Sequence, residues 1–334
     1  MNKQLILPRS IRRAYTKDGL MTYDQATIDS SGAFVIGELE RLDQRLHMPL
    51  ASVTWGRDID LRSDVSIADE TSSFTNSSFA APGGVSPNGK SWIGKDATTL
   101  ATIQLDIGKT ANPLTLWAMQ IGWTIVELAS AQQIGRPIDT QKFAGMNLKH
   151  QMDTDEQVYI GDTSLGVTGM VNNVGVTPAS AITGNWISGP ATPAQILADV
   201  NSLLNTCYAN SGYSRCPTKL LLPPLQFSWL ASQLISSAGN ISILEFLRNN
   251  SICNAYNGKP LDIQPLKWLL NRGAGNTQRM VAYTQEEDVI RFPMVPLQRT
   301  PLEYRGLFQL TTYYGRLGVV EIVYPELVGY VDGI

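Results

Sequence analysis

The chain has 334 residues, 43% of them hydrophobic, and a net charge of −3. That is enough apolar material for a substantial buried core, and it excludes a chain left disordered for want of surface to bury. Charged residues make up only 16%, against about 25% in an ordinary soluble domain, which argues against a free monomer and suits a subunit whose faces meet neighbours, since charge is depleted at interface cores.

Residues 1–17 carry Lys3, Arg9, Arg12, Arg13 and Lys17 and no acid. They form a basic arm without periodicity, either a solvated tail or an arm lying on a neighbouring subunit or a polyanion. Its apolar run, Leu5 to Leu7, stops at Pro8-Arg9, far short of a signal peptide, so no secretion signal is expected. Between Gly32 and His47, Val35, Ile36, Leu39, Leu42 and Leu46 recur at helical spacing opposite charged positions, which predicts a short amphipathic helix ended by Pro49.

From Val53 to Leu61 the pattern alternates, with Val53, Trp55, Ile59 and Leu61 on one face and Arg57 as the exception, and it predicts a strand. A second alternation places Ala101, Ile103, Leu105 and Ile107 on one face. Roughly forty residues rich in Ser, Thr, Asn, Gly and Pro separate the two, so they are expected to pair as one long arm with an irregular tip. An isolated two-stranded ribbon is marginal in water. It needs support, and the expected support is another molecule, met through Ile59, Leu61, Ile103, Leu105 and Ile107.

Leu116–Ile134 is apolar on most sides and predicts a buried helix, stopped by Gly135-Arg136-Pro137. The most apolar stretch, Leu114–Leu128, contains Gln120 and Glu127 and is shorter than the roughly 18 apolar residues of a membrane span, so no membrane is expected as a partner. Asp139 is a suitable N-cap for a second helix running to Tyr159, exposed on most of its surface. A glycine-punctuated turn, Ile160 to Asn172, follows. Thr192-Pro193 opens a helix to about Tyr208, with Ile196, Leu197, Val200, Leu203 and Leu204 inward. A strand at Leu220–Leu222, a helix at Phe227–Ile235 and strands at Met280–Tyr283 and Val289–Phe292 make residues 175–297 a compact α/β unit. Leu307–Val331 alternates and closes the chain in sheet.

Chemistry is sparse. Cys207, Cys216 and Cys253 are odd in number, lack paired spacing and are expected reduced, with no metal site. His47 and His150 are the only histidines, both within helical patterning, and are read as structural or surface residues. Gly84-Val85-Ser86-Pro87-Asn88-Gly89-Lys90-Ser91 fits the spacing of a phosphate-binding P-loop, but no buried strand precedes it and poor helix formers follow, so a flexible loop tip is the stronger reading. Asp153-Thr154-Asp155 begins like a calcium loop, then places Val158 where the turn needs Gly. Glu286-Glu287-Asp288 is an acidic cluster in an expected solvated turn. No cofactor and no enzyme activity are expected.

The order of parts resembles a major capsid protein of tailed bacteriophages with the Hong Kong 97 type fold, an α+β architecture. The resemblance rests on Asp139-Thr140-Gln141-Lys142 opening the long helix and on Gly161-Asp162, Gly166, Gly169 and Asn172 closing it. It rests also on Arg299-Thr300-Pro301-Leu302-Glu303-Tyr304 and on Tyr313-Tyr314-Gly315-Arg316-Leu317-Gly318-Val319-Val320-Glu321 with Tyr324-Pro325. It implies an N-terminal arm at 1–31, peripheral-domain segments at 32–53, 109–174 and 298–334 with a spine helix at 139–159, an extended hairpin (E-loop) at 54–108 and an axial domain at 175–297. It implies copies of the chain assembled as pentamers and hexamers into an icosahedral phage head, in the virion after assembly in the host cytoplasm. The implied partners are a portal, a separate scaffolding protein, since few residues precede the hairpin, a decoration protein, and packaged double-stranded DNA met without sequence preference. Inter-subunit contact is expected from Arg9, Arg12 and Arg13 in the arm and from the apolar hairpin positions. A carbohydrate-binding or tail-fibre-like structural protein, which predicts mainly strands, and a P-loop NTPase are the alternatives.

Overall fold

A computed structural model describes residues 51–80, 95, 103–134, 138–189, 191–235 and 240–334. The basic arm with Arg9, Arg12 and Arg13, the helix expected at 32–47 and the P-loop-like segment 84–91 lie outside the described residues. The fold is mixed α and β, built on two sheets and a separate ribbon.

The five-stranded sheet belongs to the expected α/β unit. Its order is β5 (Ala179–Ser180), β13 (Val328–Asp332), β8 (Arg279–Tyr283), β6 (Lys219–Leu222), β7 (Asp262–Pro265). The alternation of the strands divides the core between its faces. Leu220, Leu222, Met280, Ala282 and Val331 pack against α4 (Pro193–Asn210) and α6 (Ile243–Asn250). Leu221, Val281, Tyr283, Val328 and Tyr330 turn the other way and pack against Val158, Tyr159, Ile290 and Phe292. Helix α4 starts where the sequence signals it: Thr192 Oγ1 accepts from Gln195 N, the Gln195 side chain accepts from Thr192 N, and Pro193 occupies the first turn. Helix α5 (Pro224–Ser232) begins three residues before the expected Phe227, because Pro223-Pro224 ends β6 and also starts the helix. α7 (Ile252–Asn257) follows α6 after Ser251.

The six-stranded sheet is centred on β9 (Ile290–Arg299) and β11 (Phe308–Leu317). β1 (Asp60–Arg62) pairs parallel to β9. β12 (Glu321–Ile322) also pairs with β9, while β10 (Glu303–Arg305) and β4 (Thr115–Thr124) pair with β11. Between α2 (Ile125–Ile134) and Tyr159 runs α3 (Ile138–Tyr159), the long helix the sequence predicts, about 33 Å in length. Its end is closed by the glycine turn. Gly161 has φ +77°, and a Cβ there would stand 2.5 Å from the Val167 carbonyl oxygen; one on Gly169 would stand 2.3 Å from the backbone of Tyr159. Met170 N and Val171 N donate to the carbonyls of Val158 and Tyr159, and Asn172 pins the loop by accepting from Gly169 N and donating to Ile160 O.

Four expectations are corrected. Residues 53–61 are not one strand: Trp55–Asp58 is a helical turn, α1, and only Asp60–Arg62 is extended. Its N-terminus is held by the Asp155 carboxylate, which accepts from Thr54 N at 2.8 Å and Trp55 N at 3.0 Å, a tertiary contact invisible to local periodicity. The hairpin therefore has another first strand, β2 (Thr71–Ala80), paired along its length with β3 (Gln104–Pro113). Leu116–Thr124 is strand rather than helix: Trp117, Met119, Ile121 and Trp123 face inward, and Leu116, Ala118 and Gln120 are exposed. The apolar residues on its outer face hid the alternation. α2 begins only at Ile125, and Ile125 and Val126 are exposed, so it is not a buried helix. Finally, the closing segment splits: β11 joins the six-stranded sheet, whereas β13 inserts between β5 and β8 of the other.

Candidate functional site

The ribbon β2–β3 stands apart from both sheets. Among the described residues its strands pair only with each other. Two ten-residue strands at about 3.3 Å per residue make a ribbon roughly 33 Å long. Ile103, Leu105 and Ile107 are 71%, 53% and 61% exposed and, spaced by two, share one face. Of the other two hairpin positions expected at a contact, Leu61 is 40% exposed on β1, at the edge of the body. Ile59 is corrected: it is buried with Trp55, Val158 and Phe292 in the core of the chain itself, because the α1 turn rotates it inward.

The root of the ribbon is rigidly built. Glu321 is fully buried and receives Arg62 Nη1 at 3.2 Å, Arg291 Nε at 2.8 Å and Ser72 Oγ at 2.5 Å. Arg62 Nη1 also donates to Ser73 O, so one guanidinium joins β1, β2 and β12. Opposite it, Arg316 Nε donates to Ile67 O and its Nη1 to Leu114 O, while Leu114 N donates to Glu70 O. The ribbon leaves the six-stranded sheet from a charge-assisted clamp whose members lie up to 259 residues apart. Farther out, Asn76 Nδ2 donates to Val323 O at 3.4 Å. The sequence reading missed this clamp. Its local signal was Arg316 and Glu321 within the Tyr313–Glu321 motif; nothing local in the sequence marks Arg62 or Arg291.

A second buried polar cluster ties the two sheets. Lys219, 2% exposed, stands 3.1 Å from Asp58 and 3.3 Å from Asp262, and it donates to Arg57 O. Asp58 also takes Arg57 Nε and the hydroxyl of Tyr159. Burial first, and the neighbouring Asp58 charge next, push the Tyr159 phenol far above its ordinary range. Asp155 accepts from Trp268 Nε1 as well as from α1. The Asp58 and Asp155 carboxylates each accept several donors, so the cluster is a cross-tie.

The remaining candidates take structural positions. Asp153 lies on α3, accepting from Trp117 Nε1 and pairing with Lys149, which disposes of the calcium-loop reading. Glu286 forms an exposed pair with Arg215. His150 is buried on α3 edge-on to Trp117, and neither ring nitrogen has a hydrogen-bond partner; desolvation holds its pKa below the ordinary value. A cavity of about 330 Å³ between α4 and β13 is lined by Asp199, whose carboxylate is taken up by Ile182 N, Thr183 N and Trp186 Nε1. The three cysteines are buried and free. Among the described residues no group of His, Cys, Asp and Glu is placed to hold a metal ion, and no helix is long and apolar enough to cross a membrane.

The sequence model of the family described as major capsid protein matches residues 89–334. No curated protein matches the sequence. Among solved structures, the chain is similar to the capsid of Myoviridae phage XM1, with TM-score 0.71 at 16% identity over 89% of this chain and 98% of that one. It is similar to a structure from Gordonia phage Cozz, with TM-score 0.55 at 8% identity over 95% and 98%. It is similar also to a virus-like particle from Pyrococcus furiosus, with TM-score 0.50 at 13% identity over 83% and 91%. At these identities the likeness shows the fold, which is that of capsid subunits.

Proposed function

The chain belongs to the major capsid protein family, and on that premise we propose that its copies assemble as pentamers and hexamers into the icosahedral head of a tailed bacteriophage around double-stranded DNA. The ribbon β2–β3 carries this reading: it has an apolar stripe and, among the described residues, no other strand to pair with, and a neighbouring subunit supplies what it lacks. Its role corresponds to the extended hairpin, with α3 as the spine helix of a peripheral domain and 175–297 joined by β13 as the axial domain. Long arms spread load over many contacts, each modest, and so strengthen a shell without enlarging any one core.

Arg9, Arg12 and Arg13 in the N-terminal arm serve as a second contact on a neighbour or on DNA. DNA contact is electrostatic, weak and indifferent to sequence. A portal and a separate scaffolding protein are the partners in assembly, and a decoration protein is an optional outer partner. The subunit works as a structural element rather than an enzyme, without a cofactor, in the virion after assembly in the host cytoplasm. The tail-fibre-like alternative predicts mainly strands, against the helices at Ile138–Tyr159 and Pro193–Asn210. The NTPase alternative has its motif outside the described residues.

The test replaces residues 74–110 by a short Gly-Ser turn, keeping the clamped root. Negative-stain microscopy and mass photometry should find a soluble, folded chain that forms no closed shells. Shells of normal size from this variant refute the role of the ribbon.

A further inference from the structure

The three thiols are not equivalent. Cys207 lies on α4 beneath Gly329 of β13. Cys216, in the segment entering β6, and Cys253, on α7, face each other with Sγ atoms 2.7 Å apart, both 1% exposed. Non-bonded heavy atoms rest at roughly 3.5–4.0 Å and bonded sulfurs at about 2.05 Å, so the pair already stands inside contact distance. Bonds that do not involve sulfur hold it there. Tyr256 Oη of α7 donates to Ser214 O at 2.8 Å, and Asn257 Nδ2 donates to the Cys216 and Pro217 carbonyls, both at 3.4 Å. Thr284 Oγ1, just past the end of β8, donates to Cys216 O. The Tyr256 ring also packs on Tyr208 of α4.

We propose that Cys216 and Cys253 are a reversible dithiol–disulfide couple within one chain, reduced in the cell that makes the protein and oxidised once the protein meets an oxidising medium. The oxidant is a small disulfide such as oxidised glutathione. The Cys216 thiolate attacks one sulfur of that disulfide, breaking its S–S bond and expelling one small thiolate. The Cys253 thiolate then attacks the Cys216 sulfur of the mixed disulfide, forming the Cys216–Cys253 bond and expelling the second. Two protein thiols give up two electrons and two protons, and the small disulfide becomes two thiols. Cys216 is the entry point, because the turn before it, Gly212 to Arg215, is exposed, so a local opening there uncovers Cys216 first. Burial pushes both thiols above their ordinary pKa, so exchange is slow at neutral pH and accelerates as pH rises. Cys207, pushed up to about 12 by burial, stays a thiol. The couple is a property of the chain and does not depend on the capsid reading.

The test uses the full-length chain, reduced, freed of reductant, held natively with oxidised glutathione at pH 8.5 for a day, then unfolded and treated with N-ethylmaleimide. The expected result is one maleimide per chain, on Cys207, and a non-reduced tryptic map in which peptide 216–219 is joined to peptide 249–267. The bond closes a loop of 37 residues, so oxidation should raise the thermal midpoint by about 5 °C. Reductant should reverse that rise, and Cys253→Ala should abolish it. Three maleimides per chain after native oxidation overturn the proposal, and so does a map that joins Cys207 to either partner.

Discussion

Replacing Glu321 by Gln keeps the shape of the side chain and removes the charge that gathers Arg62, Arg291 and Ser72 at the root of the ribbon. Breaking a fully buried ion pair by deleting one partner costs about 3–5 kcal/mol. Two features reduce that figure here: the Arg62 and Arg291 side chains keep 17% and 19% exposure, and Arg62 has a second carboxylate in Asp64, Nε to Oδ1 at 2.6 Å. A loss of about 2–3 kcal/mol is therefore expected, which for a chain of 334 residues lowers the thermal midpoint by roughly 3–4 °C. The loss is local in origin, because β2 and β3 have no other sheet to hold them. Hydrogen exchange should therefore show the amides of 71–80 and 104–113 losing protection by about 30-fold or more, at 1.4 kcal/mol per factor of ten, while those of β6 and β8 change less. Glu326→Gln, at an exposed carboxylate five residues away, is the control and should stay within about 0.5 kcal/mol. If Glu321→Gln melts within 1 °C of the parent and leaves ribbon protection unchanged, the clamp does not set the ribbon and the reasoning fails.

Converting Ile103, Leu105 and Ile107 together to Asp should leave the melting of the unassembled chain nearly unchanged, since all three are exposed, and should abolish shells by sedimentation; shells at parental yield would remove this face from the contact. His150 is held neutral by burial. Its folded-state pKa lies below the unfolded value of about 6.5, so its contribution is complete above that pH and is lost as pH falls towards the folded pKa. Melting from pH 7.5 to 5 should show that loss, and His150→Leu should flatten it; an unchanged slope assigns the acid sensitivity elsewhere. Gly145 on α3 has open space where a Cβ would stand, whereas a Cβ on Gly169 would meet the Tyr159 backbone at 2.3 Å. Gly145→Ala should thus stabilise by about 0.5–1 kcal/mol and Gly169→Ala destabilise by about 2 kcal/mol or more. Denaturant titration reads both, and equal signs would refute the role given to the glycine turn.

What the sequence revealed, and what it hid, follows from the range of the interactions concerned. Helix α4 was legible to the residue at its start because Thr192, Pro193 and Gln195 act within one turn. Helix α3 was legible because its length and the glycines after Ile160 are local properties. The first strand of the ribbon was not. Thr71-Ser72-Ser73-Phe74-Thr75-Asn76-Ser77-Ser78 has almost no apolar alternation, since only its root meets the body and there through polar bonds, while Thr75 to Ser78 are exposed. Periodicity reports burial, and an element left exposed in its own chain writes only part of its pattern into the sequence. The local signal pointed instead to Val53–Leu61, where the apolar residues are real but serve the body core through α1. The clamp was hidden for a second reason: Arg62, Arg291, Arg316 and Glu321 take their meaning from strands brought together from three parts of the chain. The stripe Ile103, Leu105 and Ile107 was legible as a face, and it stays exposed in the folded chain. An apolar stripe left exposed among the described residues, on a ribbon rooted in a clamp, is the geometry that the proposed contact with a neighbouring subunit requires.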